Sequence, residues 1–120
     1  MDKLEKIFEM QQALDEDIVA RRHLEHIAPE EWIQKDVLAI ISELGELLDE
    51  VNFKWWKNSK EIDTPALQEE LVDVLHFFVS MCVRAGMDAD TLYRIYMDKN
   101  KENFDRQRGL SKKQGYAVED

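Results

Sequence analysis

Across 120 residues, only two prolines and four glycines stand in the way of continuous helix. Both prolines fall where a helix can begin, in Pro29-Glu30-Glu31 and in Asp63-Thr64-Pro65. Proline is tolerated in the first turn because the N–H it lacks has no intrahelical partner there. Elsewhere Leu, Ala, Glu, Lys and Met recur, residues that lose little on entering a helix. The chain is therefore expected to be all-α.

Four helices follow from the apolar periodicity. The first begins just after Asp2 and carries Leu4, Ile7, Phe8, Leu14 and Ile18 on one face, with Gln11 interrupting the stripe, and it ends near Arg21-Arg22. The second starts at Pro29, carries Val37, Leu38, Ile40, Ile41, Leu44, Leu47, Leu48 and Val51 on one broad face expected to pack against its neighbours, and has a candidate kink at Gly45. Asp63 suits the N-cap of a third helix, about 65–85, which is apolar almost all round and should be central. Gly86 fits its C′ position, and Asp88 or Asp90 can cap a fourth. From Gly109 the chain turns polar, so residues 109–120 read as a tail, either mobile or a lid using Lys112 or Lys113.

These elements predict a single domain over 1–120, resembling a four-helix bundle. A third helix so apolar needs more cover than its neighbours supply, so a homodimer or higher oligomer is expected, with the dimer as default. Cys82, the only cysteine, lies in an apolar run and reads as a small buried hydrophobe. Met1 to Met10 alternates charged and apolar residues, and about 18 uncharged apolar residues never run together. Secretion and membrane insertion are disfavoured, and a cytoplasmic location is expected. A formal charge of −10 also argues against nucleic-acid polymers and anionic membranes as partners.

That acidity can instead gather divalent cations. Glu43-x-x-Glu46 and Glu70-x-x-Asp73 each place two carboxylates on one side of a helix. Two such helices side by side would make a four-carboxylate cluster. Glu70 falls within the apolar arc of the third helix and Asp73 at its margin, so both should be at least partly buried, where an unpaired carboxylate is costly. Oxygen ligands suit Mg²⁺, or Mn²⁺, better than zinc. For Glu43 and Glu46 alone, a solvated acidic flank is the simpler reading. Lys99, Asn103 and Arg106 share a face of the fourth helix and offer cations and amides to phosphate oxygens, although cations are favourable near any helix C-terminus.

Taken together, these motifs resemble the all-α nucleoside triphosphate pyrophosphatases, the superfamily of MazG and the dimeric dUTPases, with the latter the nearer. The resemblance is carried by Met10-Gln11-Gln12-Ala13-Leu14-Asp15, Glu43-Leu44-Gly45-Glu46-Leu47-Leu48-Asp49, Trp56-Lys57-Asn58, Glu70-Leu71-Val72-Asp73, and Tyr96 with Lys99-Asn100-x-x-Asn103-x-x-Arg106-Gln107. It implies a nucleoside triphosphate substrate, dUTP first, cleaved to the monophosphate and pyrophosphate. It assigns Mg²⁺ to Glu43, Glu46, Glu70 and Asp73, with Glu46 orienting or deprotonating the attacking water. It assigns the phosphates to Lys99, Asn103 and Arg106. The base falls to Gln11, with Asp15 assisting and Trp56 stacking on it or walling the pocket.

For Trp55 and Trp56 the simpler reading is core packing. His76, a lone histidine, is left outside the site. The long insertions of larger members are absent, and a Gly/Tyr-rich phosphate loop survives only loosely in 109–116. Two other functions compete: a MazG-like hydrolase of another or modified nucleotide, and a catalytically silent helical interaction protein. A di-iron bundle is disfavoured because neither Glu pair ends in histidine.

Overall fold

The computed structural model describes residues 1–118. Among them the regular elements are four α-helices: α1 Lys3–Arg22, α2 Pro29–Glu50, α3 Thr64–Arg84 and α4 Ala89–Gln107. Each start carries the expected signal. Asp2, Asp63 and Asp88 accept from the backbone N–H of Glu5, Ala66 and Thr91, satisfying donors that a helix N-terminus leaves free. Asp88, not Asp90, is thus the cap of α4, and its carboxyl is held below its ordinary range by the Thr91 N–H. Helix α2 begins with Pro29 in its first turn and runs through Gly45 without a break.

The described residues fall into two compact units, Met1–Gly86 and a second beginning at Met87. The expected single domain, 1–120, reaches two positions, 119 and 120, that lie outside the described residues. In the first unit α3 packs on both α2 and α1, most extensively on α2, which makes it the central helix. Its buried residues are Val79, Ser80 and Cys82. With Phe8, Gln11 and Asp36 these complete the buried set of this unit, so half of it is polar. Buried polar groups need partners. The centre of this unit is therefore organised by hydrogen bonds and charge as well as by apolar packing.

Between α2 and α3, Asn52 adopts a left-handed backbone (φ 59), and its amide exchanges two hydrogen bonds with the Lys60 backbone, which closes the loop. In the second unit, Gly109 (φ 73) reverses the chain after α4. Ser111 Oγ then donates to Glu102 at 2.7 Å, and the Tyr116 ring lies 5.2 Å from the Arg106 guanidinium. Among the described residues, no helix is long and apolar enough to cross a membrane.

Candidate active site

Helices α2 and α3 bring Glu43, Glu46 and Glu70 together, with one carboxylate oxygen from each within 4.8 Å of the others. Glu43 and Glu70 are half-buried and Glu46 is exposed. Charges this close in a poorly solvated place resist simultaneous ionisation. Glu70 is pushed up to about 7, first by its hydrogen bond with Glu43, then by burial and by the charges of Glu46 and Glu43. The same hydrogen bond pulls Glu43 down, yet burial and the carboxylates of Glu46 and Asp73 outweigh it, and Glu43 also titrates above its ordinary range. One oxygen on each of Glu43 and Glu70 is buried without a hydrogen-bond partner. A divalent cation would satisfy both, so these residues fit a hard metal ion.

Asp73 does not join this group of three. It is exposed, not partly buried as its helical position suggested, because the side of α3 that carries it is left uncovered at this point. It nevertheless lines, with Glu43, a cavity of about 490 Å³ between α1, α2 and α3.

Gln11 and Asp15 line the same cavity, which places the proposed base contacts beside the carboxylates. Gln11 is 94% buried. Its Nε2 donates to Asp15 Oδ1 and to Ser80 Oγ, both at 3.0 Å, and its Oε1 accepts from His76 Nδ1. Ser80 Oγ in turn donates to Asp15 Oδ2 at 2.7 Å. Both amide hydrogens are thus engaged within the protein, while the carbonyl oxygen accepts one of the two hydrogen bonds it can take. His76, left out by sequence reasoning, is thus part of the cavity wall and the partner of Gln11.

Farther along the cavity lie Trp32, Asp36 and Arg84, none of which the sequence singled out. Arg84 Nε approaches Asp36 Oδ2 at 3.5 Å, close enough for ionic attraction, yet both atoms are buried without a hydrogen bond. The central carbon of the Arg84 guanidinium also lies over the Trp32 ring, 4.2 Å from its centre. Burial raises Asp36 to about 6, against the pull of Arg84 and with a push from Asp15. Among the described residues, the buried side-chain atoms lacking hydrogen bonds belong to Asp36, Arg84, Glu43 and Glu70, and all but Glu70 line this cavity.

Trp56 is not brought here. It is 60% exposed in the α2–α3 loop, edge-on to Trp55 at 4.7 Å and to Phe53 at 6.1 Å. Trp55 is 84% exposed, so neither indole is core. The indole of the cavity is Trp32.

Lys99, Asn103 and Arg106 belong to the second unit. There Arg106 donates to Glu102 at 3.1 Å and to Asn103 at 3.4 Å, while Lys99 and Asn103 are exposed one turn apart.

A family model described as dUTPase matches residues 3–88, which take in the whole carboxylate cluster and cavity. The dCTP pyrophosphatase of Enterobacteria phage T4 is 32% identical over 87 residues, covering 61% of this chain and 51% of that protein. The dCTP pyrophosphatase 1 of Rattus norvegicus is 32% identical over 99 residues, covering 72% and 56%, and that of Homo sapiens is 31% identical over a stretch of the same length. The chain spans about half the length of the curated relatives it matches. No solved structure matches it.

Proposed function

The chain belongs to the dUTPase family of all-α nucleoside triphosphate pyrophosphatases, and from that premise we propose that it hydrolyses a pyrimidine deoxynucleoside triphosphate to the monophosphate and pyrophosphate. The observation that carries this reading is the carboxylate trio, which shares Glu43 with a cavity of about 490 Å³. The family description points to dUTP and the names of the relatives to dCTP. The two bases differ at the 4-substituent and at the proton on N3.

Glu43, Glu46 and Glu70, with Asp73 nearby, would hold Mg²⁺, or Mn²⁺ in its place. When bound, the ion would neutralise the carboxylates and the charge that develops on the phosphates. Glu46, the most exposed of the trio, orients or deprotonates the water that adds to phosphorus. Lys99, Asn103 and Arg106 are assigned to the phosphate oxygens, for which cations and amides are the suitable donors. No covalent nucleophile is required. Asp15 stays on the base side of the cavity, where Gln11 holds it.

Self-association belongs to the same reading. Ile7, Met10 and Leu14 of α1 and Val72 and Leu75 of α3 line an apolar groove of about 720 Å³, and all five are at least 40% exposed. A contiguous apolar patch of this kind marks an interaction surface, and a second copy of the chain is its proposed occupant.

The decisive experiment measures pyrophosphate release from dCTP, dUTP, dTTP, dATP and UTP with and without Mg²⁺. Metal-dependent turnover of the pyrimidine deoxynucleotides is expected. Turnover confined to another nucleotide would favour the MazG-like reading, and none at all would leave a non-catalytic helical protein.

A further inference from the structure

Resting on the assignment of Arg106 to the phosphates, and going beyond it, we infer that the tail after α4 is a clasp in which Ser111, acting through Glu102, and Tyr116 position the Arg106 guanidinium to grip the pyrophosphate half of the substrate.

The tail folds back on the helix it leaves. Gly109 (φ 73) reverses the chain, and Val118 returns to within 3.5 Å of where a Cβ on Gly109 would stand. The reversal brings Ser111 and Tyr116 against the last two turns of α4, where both become half-buried beside the half-buried Glu102 and Arg106.

Two donors meet there on one oxygen. Ser111 Oγ at 2.7 Å and Arg106 Nε at 3.1 Å both donate to Glu102 Oε1. The Lys113 N–H donates to Ser111 Oγ at 3.1 Å, which leaves the single hydroxyl hydrogen for Glu102. The Ser111 hydroxyl first, and Arg106 second, hold the Glu102 carboxyl below its ordinary range, so it is an ionised acceptor at neutral pH. A Glu–Arg pair four residues apart on an exposed helix is ordinarily loose. Here a residue from outside the helix fixes the carboxylate, and the guanidinium lies over the Tyr116 ring, 5.2 Å from its centre.

What remains free on Arg106 suits a diphosphate. A guanidinium carries five N–H donors in one plane. Nε–H goes to Glu102 and one Nη1–H to Asn103 Oδ1 at 3.4 Å, which leaves both Nη2 hydrogens and the other on Nη1 to donate to oxygens of one ligand. Asn103, whose oxygen accepts from Arg106, keeps its amide hydrogens for the same ligand. An arginine that swings freely must give up its rotamers when it binds, whereas one already held by a carboxylate and an aromatic ring has done so beforehand.

Calorimetry of the full chain with inorganic pyrophosphate and Mg²⁺ tests the clasp. Ser111→Ala combined with Tyr116→Leu removes it without changing any charge, and should weaken pyrophosphate binding about tenfold. Ser111→Thr, which keeps the hydroxyl, should bind as the wild type does. In an Arg106→Ala background the same pair of substitutions should have no further effect, because a positioning residue acts only through the group it holds. Unchanged affinity, an equal loss in both backgrounds, or a wild type that does not bind pyrophosphate would each overturn the clasp. Tighter binding would also overturn it, by making Glu102 a competitor for Arg106. If Arg106→Ala alone binds pyrophosphate as the wild type does while nucleotides are turned over, the clasp falls with the assignment of Arg106 and the reaction stands. If pyrophosphate binds through the clasp but no nucleotide is turned over, the reaction falls alone.

Discussion

Gln11 Nε2 donates to Ser80 Oγ at 3.0 Å, joining α1 to α3 where both are most deeply buried. This strut ties Gln11, the residue that resemblance assigns to the base, to α3 at the wall of the cavity, while the buried atoms of that wall without hydrogen bonds lie on α2 and at the end of α3.

Removing the strut should be felt in stability. Gln11→Ala deletes the buried bond to Ser80, which keeps its bond to Asp15, together with part-buried bonds to Asp15 and His76, and lost hydrogen bonds cost about 0.5–1.5 kcal/mol each. A net loss of about 2 kcal/mol is expected, seen as a lower urea midpoint at unchanged slope. If Gln11 served the base alone, the midpoint would stay put and only substrate preference would shift.

The helices were legible because their signals are local. Capping aspartates, Pro29 at a helix start and the apolar period of α1 to α4 act within one or two turns, and the spacings Glu43/Glu46 and Glu70/Asp73 are each a property of one helix. Asp36 and Arg84 were not legible. Asp36 follows Glu30, Glu31 and Lys35 and looks like a solvated face, while Arg84 looks like an ordinary last-turn cation. Their burial arises only when α2 meets α3, 48 residues along the chain. Trp56 took its assignment from a family motif, and the loop holds it among Phe53 and Trp55, outside the lining of the cavity.

The carboxylate trio should make the metal-free protein sensitive to pH. Glu70 titrates at about 7 when folded against an ordinary 4.5, so the folded state keeps a proton that the unfolded chain has lost. Its stabilising contribution is full below about pH 4.5 and is lost as pH rises through about 7. Asp36 moves in the same direction, from 3.8 to about 6. With EDTA, Tm should fall from about pH 4.5 to about pH 8. With Mg²⁺ or Mn²⁺, the fall above about pH 6 should vanish while the part due to Asp36 persists. A Tm that ignores metal at about pH 8 would count against ligation by Glu43 and Glu70.

Glu70→Gln separates stability from activity. It removes one of the mutually repelling charges, so the metal-free variant should melt higher than wild type at about pH 8. It also removes a proposed ligand, so pyrophosphate release should fall by about 100-fold or more. Asp73→Asn, outside the trio, should lose less, about 10-fold, and recover at raised Mg²⁺ as a residue that supports the ligands does. Equal, unrescuable losses would place Asp73 among the ligands themselves.

The groove between α1 and α3 sets the last expectation. Gln11, Leu14 and His76 line both the groove and the cavity, so whatever covers the groove also braces the strut. Leu75, 40% exposed, lines the groove but not the cavity. In sedimentation equilibrium the wild type should exceed the 14.2 kDa of one chain, and Leu75→Arg should return it to that mass. A charge placed in an apolar contact opposes association without touching the carboxylates. Because bracing of Gln11 and His76 is lost with the partner, the monomeric variant should also bind nucleotide more weakly while Glu43, Glu46 and Glu70 still bind metal. A wild type that sediments as a single chain at all concentrations would remove the second copy from this groove.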